Sequence, residues 1–211
     1  MATTGASASS VDSGATDELR GLLRDAVDPK RVAAYLDGLS HPDRVVAIRS
    51  LGRGEQRRLY EAVDGFEAVS LVDLVSPSRS DFQTVRHHGK NTLPIFTHFE
   101  KRFCRPPASD PTGPDALYGF NFQTMQPLTG PGYFVAVEDE KRREVLVDYN
   151  RVPDSHPEGW PEIRSNERGL SRFVYGFMVD TLRRVSEHVT IGSAARKGRD
   201  MGSWFVLTRE D

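Results

Sequence analysis

The apolar positions of this chain follow two different periods. In the first third they recur every three to four residues, the spacing of one face of a helix. Leu19, Leu22, Leu23 and Ala26 follow Thr16-Asp17-Glu18, an N-cap residue with two acids that suit the positive start of a helix. Asp28-Pro29 is an N-cap and first-turn pair, and Val32, Tyr35, Leu36 and Leu39 then share a face. Ser40 and Asp43 repeat the start signal ahead of Val45, Ile48 and Leu51. Leu59, Tyr60 and Val63 follow the break Gly52-Arg53-Gly54 and end at Gly65. The pattern predicts three or four short helices over residues 16–66.

From Leu93 the period shifts toward two, which predicts strands. Ile95, Phe99 and Phe103 fall on one face, and Phe96, His98, Glu100, Arg102 and Cys104 on the other. Residues 105–115, RPPASDPTGPD, read as a loop. Tyr118, Phe120 and Phe122 alternate with Gly119, Asn121 and Gln123. After the turn Thr129-Gly130-Pro131-Gly132, Tyr133–Val137 and Val145–Tyr149 read as a hairpin with a charged tip. Val189–Ser193 and Ser203–Arg209 read as a final hairpin around the basic tip Arg196-Lys197-Gly198-Arg199. Ala68–Val75 is expected to be a further strand, and His87-His88-Gly89-Lys90 reads as loop chemistry.

One stripe looks helical within the strand-rich part. Leu170, Phe173, Val174, Phe177, Met178, Thr181, Leu182 and Val185 match the i, i+3, i+4, i+7 spacing. The expected fold is therefore α+β: a curved antiparallel sheet packed on one long helix at 170–187, preceded by the short helical N-terminal region. Phe177 is expected in its core. Such a helix-grip-like arrangement often encloses a small-molecule cavity, an analogy of architecture only.

Composition refines this picture in three places. Residues 1–15 are small and polar, without the basic and apolar segments of a signal peptide, and read as a disordered tail. Only Pro29 and Pro42 of the 13 prolines precede residue 76, which separates the helical region 16–66 from a sheet domain at 67–211. The net charge of −2 gives no electrostatic case for nucleic acid, and no apolar run reaches the length of a membrane span. The single cysteine excludes an intrachain disulfide framework, and a unique thiol without an export signal points to a cytoplasmic setting.

The candidate chemistry is sparse. His98 and Glu100 share a strand face and could act as a base and its orienting carboxylate, or as metal ligands with His87 or His88; otherwise they are the polar outside of a half-exposed strand. Asn121 and Gln123 could orient a ligand by amide hydrogen bonds, or face solvent. Asp148 and Tyr149 alternate and so face opposite ways. Cys104 lies too far along a strand from His98 for a catalytic pair. No nucleophile elbow, phosphate loop or dinucleotide fingerprint is present, so no cofactor is identified.

The aromatic residues outnumber what one helix–sheet seam needs. The leading expectation is accordingly a soluble domain holding a small, largely apolar ligand between sheet and helix, with His98, Glu100, Asn121 and Gln123 as its polar contacts. One alternative is an enzyme with His98 as general base in the same cavity. Another is a protein- or DNA-interaction module acting through residues 16–66, although the balanced charge around Arg57 and Arg58 lacks a DNA binder's basic footprint.

Overall fold

The computed structural model describes residues 8–94, 97–123, 130–166 and 171–211. Ile95, Phe96, Thr129 and Leu170 of the patterns above lie outside these, as do the first seven residues of the expected tail. Helix α1 spans Ala8–Leu22, so it starts ahead of the Thr16 cap. Helices α2 (Pro29–Asp37), α3 (His41–Ser50) and α4 (Arg53–Ala62) follow. Asp28 caps α2 by accepting from the Lys30 amide at 3.0 Å, and Ser40 Oγ accepts from the Asp43 amide at 3.4 Å. A one-turn helix, α5 (Leu71–Leu74), stands where Ala68–Val75 reads as a strand. There Ser70 and Asp73 cap one another's segment, with Asp73 Oδ2 accepting from the Ser70 amide.

Eight strands form the body of the molecule: β1 (Val85–Asn91), β2 (His98–Cys104), β3 (Leu117–Phe122), β4 (Tyr133–Asp139), β5 (Glu144–Asp148), β6 (Met178–Arg184), β7 (Val189–Arg196) and β8 (Arg199–Arg209). Each pairs antiparallel with the next, and β8 pairs back onto β1, closing a barrel. Among the described residues the strand order closes on itself, so the sheet has no edge strand. Closure also sets the interior width: eight strands leave room for packed side chains or one small ligand.

Two glycines make the interior fit. A Cβ on Gly119 would lie 2.3 Å from the Phe134 ring, and one on Gly192 would lie 2.2 Å from that of Phe205. Glycine at these positions admits an aromatic ring from the neighbouring strand.

One end of the barrel is stoppered. Leu71 and Leu74 of α5, with Val75 just after it, join Val85, Phe103, Leu117, Val145, Leu182 and Leu207 in a single buried cluster. The outside is covered in two places. Helices α1–α4 bury Leu19, Leu23, Leu36, Ile48 and Leu59 against the outward side chains Val189, Ile191 and Val206 of β7 and β8. On the opposite wall, Trp160 and Ile163 cover Cys104, Phe120 and Tyr133. Arg44 fastens the helical layer: it is buried, and it donates to Thr208 Oγ1 at 3.1 Å, to the Leu39 carbonyl and to Asp211.

The α+β, helix-grip-like expectation is overturned, because residues 170–187 do not form the long helix on which a sheet would rest. The segment holds a one-turn helix, α6 (Ser171–Val174), then a turn and β6. Its apparent stripe is a coincidence of three environments. Leu182 faces the barrel interior, Val185 belongs to the cluster under the outer helices, and Phe177 is exposed in the turn with a left-handed φ of 60°. The expectation of a core Phe177 fails with the helix. Val179 and Thr181 are β-branched and favour extended backbone, and the ladders to β5 and β7 decide the outcome.

The His87–Lys90 segment is strand rather than loop. Both of its faces are polar in sequence because the inward face carries His87 and Gly89, which hides the alternation. The two expected hairpins are present as β4–β5 and β7–β8.

Candidate functional site

A cavity of about 360 Å³ opens at the barrel end opposite α5. This lies toward the lower end of the roughly 300–1,000 Å³ typical of small-molecule sites. Phe99, Val174, Met178, Ala194, Trp204 and Phe205 contribute apolar wall. Leu93 and Met201, large apolar residues left exposed, stand at the mouth. Tyr175 stacks on Tyr149 with centroids 5.4 Å apart and accepts from Gln123 Nε2 at 3.0 Å. The ring of Tyr175 occupies the space a side chain at residue 132 would need. Gly132 has φ 57°, and a Cβ there would lie 2.5 Å from the ring.

The floor is a compact polar cluster inside an apolar barrel. Lys101 is 1% exposed and Asp180 is 3% exposed. Register puts Lys101 of β2 opposite Asn121 of β3, while Asp180 arrives from β6 and Tyr149 follows β5. Lys101 Nζ donates to Asp180 Oδ2 at 2.9 Å, to Asn121 Oδ1 at 3.1 Å and to Tyr149 Oη. Asn121 Nδ2 donates to Tyr149 Oη at 2.8 Å, and Tyr149 Oη donates to Asp180 Oδ2 at 3.1 Å. The rings of Phe134, Tyr149 and Phe205 surround Nζ at 4.9–5.0 Å from their centroids. The three donors of the ammonium are thus all used, with a carboxylate as counterion.

Burial pulls Lys101 below the ordinary amine value, and Asp180 opposes that shift. Burial, with Asp180 beside it, holds the Tyr149 phenol well above its ordinary value, so it stays protonated and can donate. One valence of the cluster is unmet: Asp180 Oδ1 is buried and has no hydrogen-bond partner among the described residues.

Asn121 and Gln123 line this cavity. His98 and Glu100 lie on the outer face of β2, away from it. His98 is exposed at the strand's start, and Glu100 pairs with Arg102 at 2.8 Å and with His88 Nδ1 at 3.7 Å. The four residues therefore divide between the two sides of the barrel wall. His87 is buried inside, its Nε2 is 3.0 Å from the Leu74 carbonyl, and burial pushes its pKa down to about 3. It is a neutral bridge to the α5 stopper. Among the described residues no group of three or more His, Cys, Asp or Glu could hold a metal ion. Cys104 lies in the outer core, where burial pushes its thiol up to about 12, far from a reactive thiolate. The apolar stripes of the helices within 16–66 are covered by one another and by the barrel.

Lys101, Tyr149 and Asp180 escape the sequence reading, yet a signal for two of them is present. Lys101 lies two residues from both Phe99 and Phe103, and Asp180 two residues from both Met178 and Leu182. A charge flanked by apolar residues at i±2 on a strand lies on the buried face, and two of opposite sign anticipate a pair. Read as a helix, residues 170–187 leave Asp180 off the apolar stripe, which conceals this.

No protein-family model, curated protein or solved structure matches the chain.

Proposed function

We propose that this protein binds a small, largely apolar molecule inside its barrel, with Asn121 and Gln123 among the polar contacts. The observation that carries the reading is an open cavity with apolar walls ending on a buried polar floor. A closed eight-stranded barrel is compatible with such a role. A dry barrel core would instead be filled by its own side chains at crystal-like density. The ligand site of this reading is the barrel interior, since Ser171–Val174 is one helical turn and Met178–Arg184 is a strand of the barrel. The reading includes a cytoplasmic setting, supported by the lone unpaired thiol of Cys104. Among the described residues no helix is long and apolar enough to cross a membrane.

Titration with an environment-sensitive apolar fluorophore such as aminoanthracene tests the proposal. The expected result is saturable one-to-one binding that weakens at least tenfold in Ala194→Phe, which fills the cavity, while its melting temperature is retained. Binding unchanged in that variant would place the probe elsewhere. Absence of saturable binding by the wild-type protein would make the cavity no ligand site.

A further inference from the structure

Resting on that reading, we infer that the ligand is a neutral apolar alcohol whose hydroxyl donates to Asp180 Oδ1, rather than a carboxylic acid, as a buried lysine would first suggest. The floor already holds one positive and one negative charge, 2.9 Å apart. An ionic ligand would arrive there without a counterion and lose its hydration.

A carboxylate needs N–H donors, and the three on Lys101 point at Asp180, Asn121 and Tyr149. Tyr149 Oη already gives its proton to Asp180, and both Asn121 Nδ2 and Gln123 Nε2 donate to tyrosine hydroxyls. A carboxylate would also sit beside that of Asp180. Arg196, a second cation lining the cavity, donates through Nη2 to the Val174 carbonyl at 2.9 Å and to Met178 Sδ at 3.4 Å, and its register opposite Met178 puts it two residues nearer the mouth than Asp180.

What the floor lacks is a donor. Asp180 lines the cavity, is almost wholly buried, and has one oxygen with no partner among the described residues. A buried carboxylate oxygen without a hydrogen bond is costly, and one O–H directed at it removes that cost. An ether or aldehyde of the same shape brings only acceptors and leaves the oxygen as it was. The contrast between alcohol and ether therefore isolates the donor, and that between alcohol and acid isolates the charge.

The test is displacement of the bound fluorophore from the wild-type protein by naphthylmethanol, its methyl ether and naphthoic acid. These share one aromatic body and differ only in the polar group. The expected order is alcohol tightest, by about tenfold or more over both others, since a hydrogen bond to a charged group is worth about that ratio or more. In Lys101→Met/Asp180→Asn, which keeps the floor neutral, the gap between alcohol and ether should fall to about twofold. Equal binding of alcohol and ether overturns the inference while leaving the ligand reading intact. So does tightest binding of the acid, which would move the polar anchor to Arg196. A gap that persists in a folded double variant also overturns it. Failure of every naphthyl compound to displace the fluorophore overturns the inference, while loss of fluorophore binding itself overturns the ligand reading as well.

Discussion

Replacing Lys101 with methionine keeps an unbranched apolar stem as far as Cε and removes the ammonium. Three hydrogen bonds disappear, to Asp180 Oδ2, Asn121 Oδ1 and Tyr149 Oη. Among the described residues, the carboxylate of Asp180 then stays buried with only the Tyr149 hydroxyl on Oδ2 and no partner on Oδ1. Breaking one partner out of such a pair costs about 3–5 kcal/mol. That is a large part of the roughly 5–15 kcal/mol by which an ordinary domain is stable. Removing both charges is different. In Lys101→Met/Asp180→Asn, the amide carbonyl of the new Asn still accepts from Tyr149 and no net charge stays buried. The double variant should therefore be more stable than Lys101→Met alone by about 2 kcal/mol or more. Urea unfolding followed by circular dichroism at neutral pH measures all the species. A cost below about 1 kcal/mol for Lys101→Met would show that the ammonium is hydrated through the cavity, which would refute the claim that Asp180, Asn121 and Tyr149 hold it in place of water.

His87 predicts an acid-side loss of stability. Its folded pKa of about 3 lies below the 6.5 of an unfolded chain, so its contribution is complete above pH 6.5 and declines as the unfolded state takes up a proton. Between pH 7.5 and 5 the loss is about 2 kcal/mol from this residue alone, and His87→Gln should show that much less decline in chemical denaturation at the two pH values. The lowered pKa values of His88, His98 and His188 act in the same direction and remain in both proteins. Gly119→Ala should destabilise the barrel by about 1–3 kcal/mol in a melting or urea experiment, because the new methyl meets both the Phe134 ring and, at 2.6 Å, the Arg102 carbonyl. A neutral Gly119→Ala would mean that the barrel wall is looser than the register of β2, β3 and β4 implies.

The legible parts of the fold were those in which local chemistry and tertiary outcome agree. The Asp28 and Ser40 caps mark real helix starts, and the alternation in Tyr118–Gln123 and around the two hairpins marks real strands. Barrel closure was hidden because it depends on β8 meeting β1, a pairing between residues more than a hundred apart whose β1 partner has no apolar face to read. The false helix at 170–187 arose because period counting sums over residues without knowing that the chain turns at Phe177 and that Val185 faces the outer helices. The site was half visible. Alternation placed Asn121 and Gln123 on one face without telling whether that face lies inside, and on β3 it is the aromatic face that lies outside. There Phe120 packs outside under Trp160, while Gly119 and Asn121 face the interior. The outer cover from the 150–166 segment buries both sides of β3, so aromatic content alone does not tell inside from outside.

The central claim is that the barrel interior, rather than the seam beneath the helices, takes up a ligand. Methyl NMR during titration with naphthylmethanol tests this residue by residue. The methyls of Met178, Ala194 and Met201, on the cavity wall, should shift along one saturable curve, while those of Ile48, Ile191 and Val206 under the outer helices should stay in place. Shifts confined to the second set, or none at saturating ligand, would contradict the account.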